Sequence, residues 1–306
     1  MKKSTFLKLA LVSVAMLMFA GAWAQNPPAA YEDITTDALA PSISYVTTGK
    51  TMPFYVMPDL YYHPNYVAAG TLTAGFTWTW SITGAATLQN QANNYVEVVV
   101  PGGLLVETDY TIDVFETAAA THGGCPDATP TTATVRGVPA PAMGAVNYPY
   151  FNTTLAIADG GTYSVCGNMA AADVTVQLSG YPNFQLKWTL TQVQIDAAGV
   201  DVGLPTTIVD NSAGQTLGAG NSLTRVTDQN YILHNYAHTM LVPVADPVRT
   251  KYVYTLGGIT DLISRKSDFL AATGWYANVD QVYTIIINPA PQTGPIYHIP
   301  NDYGAL

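Results

Sequence analysis

Two segments of the chain alternate strictly between apolar and polar side chains, and both carry tryptophan on the apolar side. Residues 75–84 have the sequence GFTWTWSITG, and residues 183–192 have the sequence NFQLKWTLTQ. A period of two is typical of a β-strand with one buried face and one face in solvent. Inward tryptophans often fill the core of a two-sheet sandwich. We therefore predict that Trp78, Trp80 and Trp188 lie in the cores of β-sandwiches.

A second pair of segments supports an internal repeat. Residues 107–114 (ETDYTIDV) and 249–256 (RTKYVYTL) both contain Thr-x-Tyr followed by alternating apolar residues, which puts Tyr110 and Tyr252 in the same predicted cores. Each copy then closes with a β-branched run that stops at Pro-Ala-Pro. Proline cannot donate to a sheet ladder, so it ends the strand and stiffens the segment that follows.

The chain therefore divides into modules and spacers, with two tandem β-sandwiches expected. The sequence holds 25 Gly and 20 Pro, which favours many short strands over long helices. The predicted boundaries are 25–138 for the first sandwich, 139–141 for the linker, 142–288 for the second sandwich and 289–306 for a Pro-rich extended tail. The second module has a surplus of residues at about 192–226. Loops absorb insertions at low cost, so we predict an extended hairpin or loop there.

The first 24 residues have the features of a cleavable signal peptide. Lys2 and Lys3 precede an apolar run, and Ala22-Trp23-Ala24 fits a cleavage site. We expect cleavage after Ala24, followed by secretion to the cell surface or retention in the periplasm. The later apolar stretches are too short to span a bilayer, so no direct membrane insertion is expected after cleavage.

The charge balance argues against several classes of partner. The chain has 11 basic and 21 acidic residues, and three of the basic ones lie in the signal peptide. Because the chain is acidic and has no basic cluster, it is expected to repel the negative charges of nucleic acid and anionic lipid. Charged residues make up only 10% of the sequence, which disfavours an enzyme.

Motifs for catalysis and metal binding are missing from the sequence. It contains no nucleophile elbow, phosphate-binding loop or calcium loop, so we predict no catalytic residue, no metal and no cofactor. The pair His234-x-x-x-His238 has no Cys, Glu or Asp within a turn to complete a metal site. We interpret it as part of a polar strand or loop face.

Three segments resemble modules of one group of bacterial proteins. Residues 110–135 (YTIDVFETAAATHGGCPDATPTTATV) resemble the end of the PKD-like, immunoglobulin-type modules of Bacteroidetes surface proteins. Residues 163–190 (YSVCGNMAAADVTVQLSGYPNFQLKWTL) and 252–261 (YVYTLGGITD) resemble strands of modules in gliding-motility-associated and type IX secretion-linked proteins. The resemblance implies an all-β fold of two tandem immunoglobulin-like (PKD-like) β-sandwiches. It also implies a surface location and a link to gliding motility or type IX secretion.

The chain departs from this family at two points. In the family, the Ile-Thr-Asp turn leads to a cysteine that pairs with the opening cysteine, but here the turn continues as LISRKSDF. Cys166 therefore lacks that partner, and Cys125 is the other candidate for a disulfide. A bridge between them and two independent thiols both stay open. The C-terminal sequence IPNDYGAL also lacks the basic character usual in type IX cargo.

Two aromatic clusters are candidate contact sites. The segment DLYYHPNY is predicted to form a loop in which tyrosines contact a glycan or a protein, or else pack on the sandwich rim. The tail is predicted to stay extended, which suits addition to the sheet edge of a partner, although a terminus without a partner is the alternative. The candidate contact residues are Tyr61, Tyr62, Tyr66, Ile296, Tyr297 and His298.

Together these features predict a non-enzymatic, exported structural or adhesive protein. Its contacts are expected at exposed strand edges, at the inserted hairpin of the second module and at the tail, with a protein partner or a second copy of the chain. Two alternatives stay open: a carbohydrate-binding module, and a subunit of an extracellular filament.

Overall fold

The chain folds into two compact units. In the computed structural model, the described residues are 43–56, 75–92, 94–150, 153–218, 220, 222–241, 248–267, 275–276 and 280–290. The first unit comprises residues 1–141 together with residues 260–275, and the second comprises residues 142–259 together with 276–306. Residues 260–275 thus belong to the first unit, although their place in the sequence lies inside the predicted second sandwich. The predicted signal peptide lies outside the described residues.

The described strands of the first unit form two sheets. The strands are β1 (Ile43–Thr47), β2 (Thr51–Tyr55), β3 (Thr77–Ile82), β4 (Thr87–Ala92), β5 (Tyr95–Val99), β6 (Thr108–Thr117) and β7 (Thr131–Val138). One sheet has the order β1-β7-β6-β3 and the other has the order β2-β5-β4. The pair β1–β7 is parallel, whereas β3–β6 and β6–β7 are antiparallel. A 3-10 helix (Ala120–His122) and helix α1 (Leu262–Ser267) complete the description of this unit.

The core of the first unit lies between these two sheets. Val98 on β5 and Val135 on β7 are fully buried in one cluster that draws on both sheets. The predicted alternation in β3 is confirmed, since Trp78 is buried while Thr77 and Thr79 are exposed. Period-two alternation depends only on local backbone geometry, which is why the sequence could reveal it.

The second unit is also a two-sheet sandwich. Its described strands are β8 (Ala142–Tyr150), β9 (Thr153–Ile157), β10 (Thr162–Cys166), β11 (Ala172–Gly180), β12 (Phe184–Ile195), β13 (Asp201–Leu217), β14 (Val226–Tyr236), β15 (Arg249–Thr260) and β16 (Gln281–Asn288). One sheet has the order β10-β16-β15-β12-β13, and the other has the order β14-β11-β8-β9. The pair β10–β16 is parallel.

The inner faces of both sheets form the core of the second unit. Trp188 on β12, Tyr252 on β15, Val176 on β11 and Tyr283 on β16 are all buried in one cluster. Each unit therefore has its own core between two β-sheets, which confirms the predicted all-β fold of two tandem immunoglobulin-like sandwiches.

The surplus segment of the second module adds a strand to a sheet. Residues 192–226 supply the end of β12, a turn, the whole of β13 and the start of β14. β13 pairs with β12 and forms one edge of the five-stranded sheet. Within the described parts of the chain, helices long and apolar enough to cross a bilayer are absent.

Candidate functional site: the tip of the long hairpin

The turn between β12 and β13 is closed by hydrogen bonds around Asp196. The Asp196 N–H donates to the Val200 carbonyl at 2.9 Å, and the Val200 N–H donates to Asp196 Oδ1 at 2.8 Å. Gly199 has a φ of +88°, a left-handed backbone conformation that residues other than glycine adopt only with strain. We call residues 196–204 the hairpin tip.

Two basic side chains of β15 hold the hairpin tip in place. Arg249 Nη2 donates to the carbonyls of Asp196 and Ala197, at 2.8 and 3.2 Å. Lys251 Nζ donates to Asp201 Oδ1 and forms an ion pair with it. The guanidinium binds main-chain oxygens of the turn itself, so it restrains the backbone that carries the tip side chains.

One glutamine ties the base of the hairpin to both sheets. Gln215 on β13 accepts a hydrogen bond from Trp188 Nε1 at 2.6 Å, and its amide nitrogen donates to the Leu233 carbonyl of β14 at 2.9 Å. Trp188 is almost fully buried, so its N–H needs a protein partner. The hairpin is therefore anchored at its base and at its tip.

Three aliphatic side chains on the hairpin tip face solvent. Their exposed fractions are 61% for Val200, 48% for Val202 and 91% for Leu204. The other exposed large apolar residues in the described chain are spread over both units: Leu105, Val106, Phe115, Tyr163, Leu223 and Ile232. Isolated surface apolar residues are ordinary, but three within five residues of one anchored turn are a candidate contact patch.

β13 has a bulge at Leu204. Gln194 pairs with Val202 and Gln192 pairs with Thr206, so Gly203, Leu204 and Pro205 lie opposite Val193 alone. Bulges bend a strand and redirect its side chains. Gly203 has a φ of +91°, which permits the bend. The bulge thus lies at Leu204, within a stretch of β13 in which residues 201–207 are all exposed.

The free edge of β13 is unsuited to pairing with another strand. Pro205 cannot donate a backbone hydrogen bond, and the register with β12 shifts at three places along the strand. Natural sheets protect exposed edges with prolines and bulges of this kind. Contacts made by this hairpin therefore depend on its side chains rather than on its backbone.

The histidine pair noted in the sequence lies inside the second unit. His238 is fully buried, and its ring centroid is 4.5 Å from that of Tyr252 and 4.9 Å from that of Tyr148. His234 packs on Trp188 with centroids 5.2 Å apart. The prediction of a polar strand or loop face is wrong for this pair, because a neutral imidazole packs like any other aromatic ring.

Burial determines the charge state of these histidines. The His238 Nε2 atom lies 3.0 Å from the hydroxyl of Tyr254, whereas its Nδ1 atom has no hydrogen-bond partner. Burial, and to a smaller extent the neighbouring His234, lowers the pKa of His238 to about 3. Burial lowers the pKa of His234 as well. Both rings are therefore neutral near pH 7.

In the described residues, no three His, Cys, Asp or Glu side chains come together as a metal ion would require. Both histidine rings contact the ring of the half-buried tyrosine between them, in the spacing His234-x-Tyr236-x-His238. This period of two in aromatic rings is the signal in the sequence that points to ring packing rather than a polar face.

The structure also locates the two cysteines and the predicted core residues. Cys125 belongs to the first unit and Cys166 to the second, and both are exposed and unbonded in the structure, so a bridge between them stays a prediction. Among the predicted core residues, Trp80 is half-buried and the others are buried: Trp78, Tyr110, Trp188 and Tyr252. The predicted contact residues of the loop and tail lie outside the described residues: Tyr61, Tyr62, Tyr66, Ile296, Tyr297 and His298.

Comparison with known proteins gives only distant likenesses. No protein-family profile matches the chain, and no curated protein matches it. Among solved structures it is similar to the I-band fragment I67–I69 from titin, with 9% identity and a TM-score of 0.29; the match covers 81% of this chain and 62% of the fragment.

Two further likenesses are to a bacterial C-terminal domain and to a fragment of a protocadherin. For the C-terminal domain of the Streptococcus agalactiae AgI/II polypeptide BspA the identity is 8% and the TM-score is 0.27, with 80% of this chain and 95% of that one covered. For the extracellular cadherin domains 3–6 of protocadherin gamma B2 the identity is 9% and the TM-score is 0.23. That match covers 70% of this chain and 41% of the protocadherin chain. Identities and TM-scores this low say nothing about what the chain binds.

Proposed function

We propose that this chain is a non-enzymatic structural or adhesive protein that acts through protein–protein contacts, with the hairpin tip as a contact surface. The observation that carries the proposal is the exposure of Val200, Val202 and Leu204 on a turn held by Arg249 and Gln215. An apolar patch on a pre-ordered turn loses little conformational freedom on binding, so more of its burial energy contributes to affinity.

The chemistry of the hairpin tip favours a protein partner. Residues 196–204 have the sequence DAAGVDVGL, which contains no basic residue for phosphate and no aromatic ring on which a sugar could stack. Aliphatic side chains instead match the apolar centre of a protein interface. A second copy of the chain and a different protein both satisfy this chemistry.

The cellular setting of the proposal comes from the sequence. The predicted signal peptide and the resemblance to Bacteroidetes surface modules support export to the cell surface or periplasm, in connection with gliding motility or type IX secretion. The Pro-rich tail, which the sequence predicts to be extended, is proposed as a second contact, made with a partner or a neighbouring copy. Digestion by protease added to intact cells, compared with permeabilised cells, tests the location.

Charge substitutions on the hairpin tip test the proposed contact. We expect the double variant Val202→Asp/Leu204→Asp to lose on the order of tenfold or more of its retention on the cells that make the protein, because two buried carboxylates would oppose an apolar contact. Retention is measured by quantitative immunoblotting of cell and medium fractions. Self-association is measured in parallel by light scattering of the purified full chain.

The matched control is Leu105→Asp/Val106→Asp in the first unit, where both side chains are also exposed. We expect this control to behave as the wild type in both measurements. Wild-type behaviour of the hairpin variant, or an equal loss in both variants, would show that the tip is not the contact surface.

A further inference from the structure

The segment that follows β15 begins with a capped turn of helix. The Asp261 side chain accepts a hydrogen bond from the Ser264 N–H at 2.7 Å, and the Asp261 carbonyl accepts one from the Arg265 N–H at 3.1 Å. Aspartate in this role satisfies a backbone donor that the first helical turn leaves free. Asp261 is 1% exposed, so this cap forms in the interior of the protein.

Helix α1 is buried in the first unit. Leu262, Ile263 and Ser264 are all buried, and the helix packs on β1. The hydroxyl of Thr47 on β1 donates to Ser264 Oγ at 3.4 Å, and Thr47 itself is fully buried. β1 is the edge strand of its sheet, and a helix laid over an edge strand protects it from solvent.

Both ends of this segment are covalently continuous with the second unit. The Ile259 N–H donates to the Tyr276 carbonyl at 2.9 Å, and the Tyr276 N–H donates to the Ile259 carbonyl at 2.7 Å. Beyond this pair the chain continues as β16, which pairs with β15 in the second unit. We call residues 260–275 the strap, of which 260–267 and Trp275 are described.

We propose that the first unit is complete only when the strap, a segment between the last two strands of the second unit, has docked on β1. In the first unit, helix α1 of the strap packs on the edge strand β1, and the strap supplies the buried side chains of Leu262 and Ile263. The chain thus links the two units twice, through the spacer at residues 139–141 and through the strap.

Cutting the spacer in the folded full chain tests this proposal. A protease site replaces residues 139–141, and the native protein is cleaved and applied to a size-exclusion column. We expect the two fragments to elute together, because the strap stays docked on β1. In the Ile263→Asp variant, where a carboxylate replaces a buried side chain, we expect the cleaved fragments to separate. Leu105→Asp, an exposed site in the same unit, is the matched control and should keep them together.

Separation of the wild-type fragments would overturn the proposal. Co-elution of the Ile263→Asp fragments would overturn it too, since some other contact would then hold them. Circular dichroism of each uncut variant shows whether it folds.

A milder variant keeps the proposal testable if Ile263→Asp does not fold. Ile263→Ala in the uncut chain should speed amide hydrogen exchange in β1 and β7 on the order of tenfold or more, because loss of a buried side chain weakens the docked strap. Exchange in β11, in the second unit, should stay unchanged. Unchanged exchange in β1, or equal acceleration in β11, would contradict the proposal.

Discussion

At the scale of single residues, the interior of the second unit depends on neutral histidines. His238 is packed among aromatic rings, and its Nδ1 atom has no partner to stabilise a positive charge. The side chains that face it are the histidine and tyrosines of β14, β15 and β8: His234, Tyr236, Tyr252, Tyr254 and Tyr148. Protonation of His238 inside the folded unit is therefore unfavourable.

This arrangement predicts that the protein loses stability in acid. The pKa of His238 is about 3 in the folded protein and roughly 6.5 in the unfolded chain, so only the unfolded state takes up this proton as the pH falls below 6.5. The stabilisation is complete above that pH and is lost progressively towards pH 3. Between pH 7.5 and 5.0 the free energy of unfolding should fall by about 2 kcal/mol through His238 alone.

Urea unfolding of the wild type and of His238→Gln at the two pH values measures this effect. From pH 7.5 to 5.0, the free energy of unfolding should fall less in the variant than in the wild type, whatever the stability of the variant at pH 7.5. Equal falls in the two proteins would mean that the folded state does not lower the pKa of His238.

The sequence could predict which strand residues alternate between the buried and the exposed face. It could not predict where a shift in strand register moves the following residues to the other face. The tryptophans of β3 and β12 follow a period of two and lie where that period predicts. Opposite Val174 and Thr175, however, β14 carries the unpaired residue Leu233 immediately before His234. Such a bulge arises from pairing with a neighbouring strand, and a single sequence does not record it.

At the scale of elements, the hairpin β12–β13 depends on its polar anchors. Gln215 is the residue that connects β13 to the buried Trp188 and to the main chain of β14. The sequence predicted a hairpin or loop at residues 192–226 from their surplus length and composition. It did not predict the bulges, because their positions follow from how β13 pairs with β12.

Replacing this anchor tests its role. We expect Gln215→Leu to reduce the free energy of unfolding by about 1–3 kcal/mol, since the Trp188 N–H would be left buried without an acceptor. Amide exchange along β13 should also become faster. Gln229→Leu, at an exposed position of β14, is the control and should change neither quantity. Equal, small effects of both substitutions would show that Gln215 does not anchor the hairpin.

At the scale of the whole molecule, the chain is two sandwiches connected by more than a spacer. The repeat of tryptophan strands and Pro-Ala-Pro segments predicted two sandwiches from local patterns. Residues 260–275 belong to the first unit, in which Ser264 forms a hydrogen bond with Thr47, 217 residues earlier in the chain. Contacts at such separations leave no periodic trace in the sequence, so the strap could not be predicted from it.

The most direct test of the proposed function records what the hairpin tip touches in living cells. A photo-crosslinking amino acid is placed at position 204 of the full chain, and at position 105 as the control, because both sites are highly exposed. Mass spectrometry then identifies the adducts formed on illumination. We predict one discrete protein adduct, with a partner or a second copy, from position 204 and not from position 105. The absence of an adduct at 204, or the same adducts from both positions, would contradict a protein contact at the hairpin tip.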